Sequence, residues 1–174
     1  MENFKQKLRS VTCFVFDVDG VLTDGSLVLF PSGEQVRTMN IRDGYALQLA
    51  VKKGYRIVVI SGGKSEAVKS RLSGLGISDV FLGIEKKQDT LREIISRYHL
   101  DPANILYMGD DVPDLAAMKT CGIAACPADA SAEIKTISIY VSDKKGGEGC
   151  VRDVIEQAMR VQGKWNDEVE NANP

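Results

Sequence analysis

Short runs of Val, Ile, Leu and Phe alternate along this chain with segments whose apolar positions recur every three to four residues. Residues 11–16 form the first such run and read as a strand. Residues 56–60, 79–82, 105–108, 123–125 and 139–141 read as further strands. Helical periodicity covers residues 43–53, 65–72, 88–98, 113–119 and 151–161. Asp43 stands near the start of its helix and Gly54 just past its end, while Pro113 suits a first helical turn. Strand and helix in alternation predict an α/β fold, a doubly wound parallel sheet with helices on both faces.

One segment departs from this rhythm. Leu27-Val28-Leu29-Phe30 and Glu34-Gln35-Val36-Arg37-Thr38 flank Pro31-Ser32-Gly33, which predicts a projecting β-hairpin over residues 26–39. A lone hairpin showing apolar side chains to water is marginally stable, so it is expected to pack on another subunit. The chain otherwise reads as one domain over residues 1–165, with a polar, mobile tail at 166–174.

Composition narrows the function. A length of 174 residues with 44% hydrophobic content suits one soluble domain with a sizeable core. A formal net charge of -2 argues against a nucleic-acid partner. No apolar run reaches the roughly 20 residues that span a bilayer. Residues 1–5 show no signal-peptide apolar stretch, so no membrane association and a cytoplasmic location are expected. Cys13, Cys121, Cys126 and Cys150 form no Cys-x-x-Cys pair and His99 is the single histidine, which argues against zinc. A disulfide framework does not fit a cytoplasmic protein. His99 reads as an ordinary helix-end residue.

Three polar clusters fall where predicted strands end: Asp17-Val18-Asp19, Ser61-Gly62 and Gly109-Asp110-Asp111. Doubly wound sheets bind ligands beyond the C-terminal ends of their strands, so the clusters point to one site. Asp17 and Asp19 leave the strand on the same side, and two like charges that close repel unless a cation or proton lies between them. Phosphoryl transfer needs a nucleophile, neutralised phosphate oxygens and a group that handles protons. Asp17 fits as nucleophile and metal ligand. Asp19 fits as acid/base, with its backbone carbonyl available to Mg2+, and Asp110 completes a hard-oxygen site. Ser61 can hydrogen-bond a phosphate oxygen, and Lys86 and Lys87 are the candidates to neutralise it.

The set Asp17-Val18-Asp19-Gly20-Val21-Leu22-Thr23, Ser61-Gly62, Lys87 and Gly109-Asp110-Asp111-x-x-Asp114 resembles, in order and spacing, the four motifs of the haloacid dehalogenase superfamily. Asp24-Gly25, Asn40-Ile41-Arg42-Asp43-Gly44 and Gly146-Gly147-Glu148-Gly149 are similar to its capless sugar-acid phosphatases, and the segments 24–43 and 61–87 leave no room for a cap domain. The resemblance implies a Rossmann-like core and an aspartyl phosphate on Asp17. It implies that Asp19 protonates the leaving oxygen and then activates water, that Ser61 and Lys87 hold the phosphate, and that Asp111 orients Lys87. It implies substrate contacts from Asp19, Asn40, Ile41, Arg42, Asp43, Gly44, Gly63, Arg71 and Lys87, with metal ligands Asp17, Asp19 and Asp110. The Lys164 region would close over a neighbouring site in a homotetramer built through the hairpins. The implied substrate is a small anionic sugar phosphate, the eight-carbon 3-deoxy-D-manno-octulosonate 8-phosphate of lipopolysaccharide synthesis, with a nine-carbon sialic-type acid 9-phosphate as the alternative. Gly63 departs from the pattern, because the octulosonate branch often carries arginine there and sialic-type relatives can carry glutamate.

Other functions are weighed by the same residues. Asp114 either supports the helix start after Pro113 or stands behind the site, and the Gly146–Gly149 segment either shapes the site or is a plain turn. A phosphomutase would be expected to carry a helical cap. A signalling receiver domain would carry its paired acids first and its phosphorylated acid later, the reverse of the order here. A non-catalytic oligomerisation module would have no need of Asp17, Asp19, Lys87 and Asp110 together.

Overall fold

The computed structural model describes residues 3–165. Strands β1 (Cys13–Phe16), β4 (Arg56–Ser61), β5 (Asp79–Leu82), β6 (Ile105–Met108), β7 (Ile123–Cys126) and β8 (Tyr140–Val141) form one parallel sheet, while β2 (Val28–Leu29) and β3 (Gln35–Val36) pair separately. The helices are α1 (Phe4–Lys7), α2 (Ile41–Lys52), α3 (Glu66–Gly74), α4 (Lys87–Tyr98), α5 (Leu115–Met118), α6 (Ala132–Ile137) and α7 (Cys150–Val161). The large sheet runs β5-β4-β1-β6-β7-β8. The chain winds outward from β1 through β4 to β5, crosses to β6, and winds the other way. The point where that order reverses lies at the C-terminal end of β1, where such sheets bind ligands.

Alternation within each strand divides the core in two. Phe14 and Phe16 of β1 join Ile57, Val59, Leu106 and Met108 on one face, under Leu47 and Ala50 of α2 and Val154 and Ala158 of α7. Cys13 and Val15 join Val58, Ile60, Ile105 and Tyr107 on the other, under Leu91 and Ile94 of α4, Met118 and Ile134. Both faces are covered, which is why the strands read as unbroken apolar runs.

The sequence-predicted strands and longer helices all appear. Helix α2 starts two residues ahead of Asp43, because the Asn40 side chain caps it by accepting from the Arg42 N–H at 2.8 Å. Residues 113–119 split into a short 3-10 turn, Val112–Asp114, and α5. Helices α1 and α6 were not legible in the pattern. Each is one or two turns long and too short for an apolar stripe.

The hairpin forms, with Val28 opposite Val36. Val28, Leu29 and Phe30 are 58%, 69% and 48% exposed. Cys13, Cys121, Cys126 and Cys150 are all free thiols. Among the described residues, no helix is long and apolar enough to cross a membrane. The tail 166–174 lies outside the described residues.

Candidate active site

Asp17 continues directly from β1, and its N–H donates to the Met108 carbonyl at 3.2 Å, so the sheet itself fixes it. One of its carboxylate oxygens accepts from the Val18 N–H at 2.6 Å. The chain then makes a wide helical turn, Val18–Leu22, closed by the Thr23 N–H on the Val18 carbonyl at 3.0 Å. The Thr23 hydroxyl donates to the same carbonyl and accepts from the Gly25 N–H. Gly20 sits in this turn at φ +85°, and a Cβ there would collide with the Asp110 carboxylate. Glycine at 20 therefore serves both the turn and the approach of Asp110 from the end of β6.

Lys87, the first residue of α4, is buried and reaches back across the sheet end. Its Nζ lies 2.7 Å from Asp17 and 2.8 Å from Asp114. Asp114 also accepts from the Tyr107 hydroxyl at 2.8 Å and from the Asp110 N–H at 3.4 Å. This corrects the expectation that Asp111 orients Lys87. Asp111 is exposed and its carboxylate caps the next turn, accepting from the Val112 N–H. The Val112–Asp114 turn swings Asp114, three residues on, into the interior, so the two readings left open for Asp114 resolve toward a place behind the site. Lys86 is exposed and stands just outside α4.

Carboxylate oxygens of Asp17, Asp110 and Asp114 all lie within 4.8 Å of one another. Among the described residues, Lys87 is the cation paired with the cluster, to Asp17 and Asp114. Burial first, and the Asp114 charge second, push the carboxyls of Asp17 and Asp110 up to about 7, with Lys87 acting in the opposite direction. Burial works against the Lys87 charge, yet Asp17 and Asp114 hold its pKa above the ordinary lysine value. Three carboxylates against one ammonium leave negative charge that a divalent cation would neutralise. Hard oxygen donors of this kind suit Mg2+.

The remaining predicted residues are distributed around this centre. Ser61, at the end of β4, is buried, and its Oγ accepts from the Gly63 N–H at 3.2 Å. Asn40 donates to the Gly147 carbonyl at 3.1 Å, tying the start of α2 to the glycine-rich loop. That loop packs against the Asp19 turn, because the Gly147 N–H donates to the Val21 carbonyl and a Cβ on Gly146 would meet the Gly20 carbonyl. Asp43 is 1% exposed and accepts from the Arg152 N–H at 2.7 Å. It caps α7, whose own cap residue is Gly149, so the expected substrate contact for Asp43 is corrected to a tie between α2 and α7. Ile41 and Arg42 are exposed. Gly44 receives the Arg71 guanidinium so closely that a Cβ would stand 2.6 Å from Nη2. Arg71 thereby faces a cleft of about 860 Å³ between the hairpin and α3, also lined by Arg37, Gly62 and Lys64. Lys164 packs over a ring of its own subunit. Its Nζ lies 4.4 Å from the centre of the Tyr55 ring, and Trp165 beside it is buried. His99 ends α4 at φ 51°, as a C-cap.

Arg37 is the residue that the sequence reading passed over. It pairs with Asp19 through two bonds. A lone arginine after a two-residue hairpin strand gives no signal in sequence that it turns inward.

Residues 38–122 match the family of haloacid dehalogenase-like hydrolases. The 3-deoxy-D-manno-octulosonate 8-phosphate phosphatase KdsC of Escherichia coli (strain K12) is 31% identical over 161 residues, covering 92% of this chain and 86% of its own. The chain belongs to the haloacid dehalogenase-like hydrolases. As a member of that family with phosphatase relatives along most of its length, it is a phosphoric monoester hydrolase. Among family structures, it resembles the Moraxella catarrhalis 3-deoxy-D-manno-octulosonate 8-phosphate phosphatase in complex with magnesium ion, phosphate ion and a KDO molecule, with TM-score 0.93, 28% identity and 97% of both chains covered. It also resembles the cobalt-bound Haemophilus influenzae phosphatase, with TM-score 0.88, 32% identity, and 92% of this chain and 94% of that one covered.

Proposed function

We propose that this enzyme hydrolyses 3-deoxy-D-manno-octulosonate 8-phosphate with Mg2+ as its cofactor. The observation that carries the reading is the buried Asp17–Lys87–Asp114 array, with Asp110 beside it, at the sheet's switch point. Relatives of that named activity along 92% of the chain support the substrate.

Asp17 attacks phosphorus with a carboxylate oxygen while the ester bond to the sugar oxygen breaks, and Asp19 gives that oxygen its proton. A water then attacks the phosphorus of the aspartyl phosphate, Asp19 takes the water's proton, and the bond to Asp17 breaks to release inorganic phosphate. Lys87 neutralises phosphate oxygens and the Ser61 hydroxyl donates to one of them. Asp114 holds Lys87 in reach. Asp17, Asp110 and the Asp19 carbonyl would hold Mg2+, which would supply charge that lowers the repulsion between the phosphoryl oxygens and the nucleophile. The cleft beside Gly62, with Lys64 and Arg71 as well as Glu34 and Glu66 on its walls, is of a size for a sugar acid. The exposed apolar hairpin residues pack against other copies in a homotetramer, and the product feeds lipopolysaccharide sugar synthesis.

The test is Asp17→Asn, assayed for phosphate release with the fold followed by circular dichroism. Turnover is expected to vanish while the spectrum is unchanged. A purified, folded variant that still turns over would remove Asp17 as the nucleophile.

A further inference from the structure

Gly63 is one of the glycines here with no backbone need to be glycine, since its φ is not among the positive ones. It needs space instead. A Cβ on Gly63 would stand 2.9 Å from Asp19 Oδ2 and 3.0 Å from Arg37 Nη2. What fills that space comes from the hairpin. Arg37 follows β3, and its side chain is only 5% exposed although the hairpin's apolar residues lie open. Its Nε donates to Asp19 Oδ1 at 2.6 Å and its Nη2 to Asp19 Oδ2 at 3.1 Å. Two parallel bonds from a rigid guanidinium fix both position and plane of a carboxylate.

The slot that holds this pair is tight. Val18, Ser61, Gly63, Ser65, Val68 and Leu82 line it and leave no room for a water. Nη1 of Arg37 is buried there without a hydrogen-bond partner. An unpaired buried donor costs stability, so the slot is not explained by folding alone. Asp19 itself is about one-third exposed and carries no other side-chain tether among the described residues. Released from Arg37, it would turn freely toward water.

We propose that Arg37 is the positioning residue for Asp19, and that position 63 is glycine in order to admit it. This rests on the reading of Asp19 as acid/base given above. The hairpin thus does more than present an apolar surface: it carries the group that aims the proton donor, and what orders the hairpin also orders Asp19.

The experiment is a double-mutant cycle with Arg37→Ala, Gly63→Ala and the pair together, with Arg37→Lys as the conservative variant. The first-step rate of alcohol release is measured in single turnover with Mg2+, on octulosonate 8-phosphate and on 4-nitrophenyl phosphate. A sugar alkoxide needs a proton to leave and nitrophenolate does not. Arg37→Ala is expected to slow the sugar ester by at least ~10-fold, with KM changed less, and to spare the nitrophenyl ester. Gly63→Ala is expected to give a smaller loss of the same kind, and none when added to Arg37→Ala. Arg37→Lys is expected to recover part of the rate. Equal slowing of both esters, or losses that multiply in the double variant, would overturn the proposal. Should Arg37→Ala fail to fold, Gly63→Ala and Arg37→Lys carry the same leaving-group comparison. Wild-type enzyme inert toward octulosonate 8-phosphate would overturn the substrate reading instead, and the comparison would then use whichever alkyl ester turns over.

Discussion

Asp114 and Asp111 are near neighbours in sequence with opposite fates. Asp114 is buried and holds Lys87, while Asp111 is exposed and caps a turn. Breaking a buried pair by removing one charge costs about 3–5 kcal/mol, whereas an exposed change stays within about 0.5 kcal/mol. Asp114→Asn is therefore expected to lower both the melting temperature and phosphate turnover steeply, and Asp111→Asn to leave both near wild type. A thermal melt and an activity assay on the two variants check this, and the reverse ranking would restore Asp111 as the partner of Lys87. Asp43 gives a second prediction at this scale. Burial pushes its carboxyl up to about 6, against the backbone N–H groups of Arg152 and Gly149 that pull it down. The folded state thus holds that proton more tightly than the unfolded chain, where an aspartate titrates near ~3.9. The stability this group contributes is full below that value and is lost as pH rises through 6. Asp43→Asn cannot ionise, so urea titrations should show it gaining up to about 3 kcal/mol on wild type between pH 4 and pH 6. Parallel stability curves would contradict the assignment. Asp17, Ser61 and Asp110 were legible in the sequence because each stands where an apolar run ends, and Lys87 because it opens the helix after β5. The sequence hid Asp114's hold on Lys87 and Asp43's cap on α7, because both depend on contacts 27 and 109 residues away in the chain.

The elements were legible to the degree that they are long. Five strands of four to six residues and the helices α2, α3, α4 and α7 carry enough residues for a run or a period to show. Helices α1 and α6 do not, and the turn Val18–Leu22 has no apolar period at all. The hairpin was legible from Pro31-Ser32-Gly33, while its inward arginine was not. Val28, Leu29 and Phe30 lie in the open along the hairpin, which is apolar area suited to burial between subunits. Val28→Asp with Leu29→Asp is expected to reduce the assembly seen by light scattering without changing the circular dichroism of the core. An unchanged mass would refute the hairpin's part in assembly.

Across the whole molecule, the fold gathers its buried catalytic-type groups where β1, β4, β5 and β6 end, and fills the rest of its interior mainly with apolar side chains. Arrival of four separate segments at one sheet edge makes the order of motifs in the chain readable as a site. Further out lies the cleft between hairpin and α3, where the proposed function places the sugar. The most direct measurement is phosphate release, with Mg2+, from octulosonate 8-phosphate, N-acetylneuraminate 9-phosphate and simple hexose phosphates. The account predicts the highest kcat/KM for the eight-carbon ester and loss of release when the cation is chelated. Preference for the nine-carbon or hexose esters, or release that survives chelation, would contradict it.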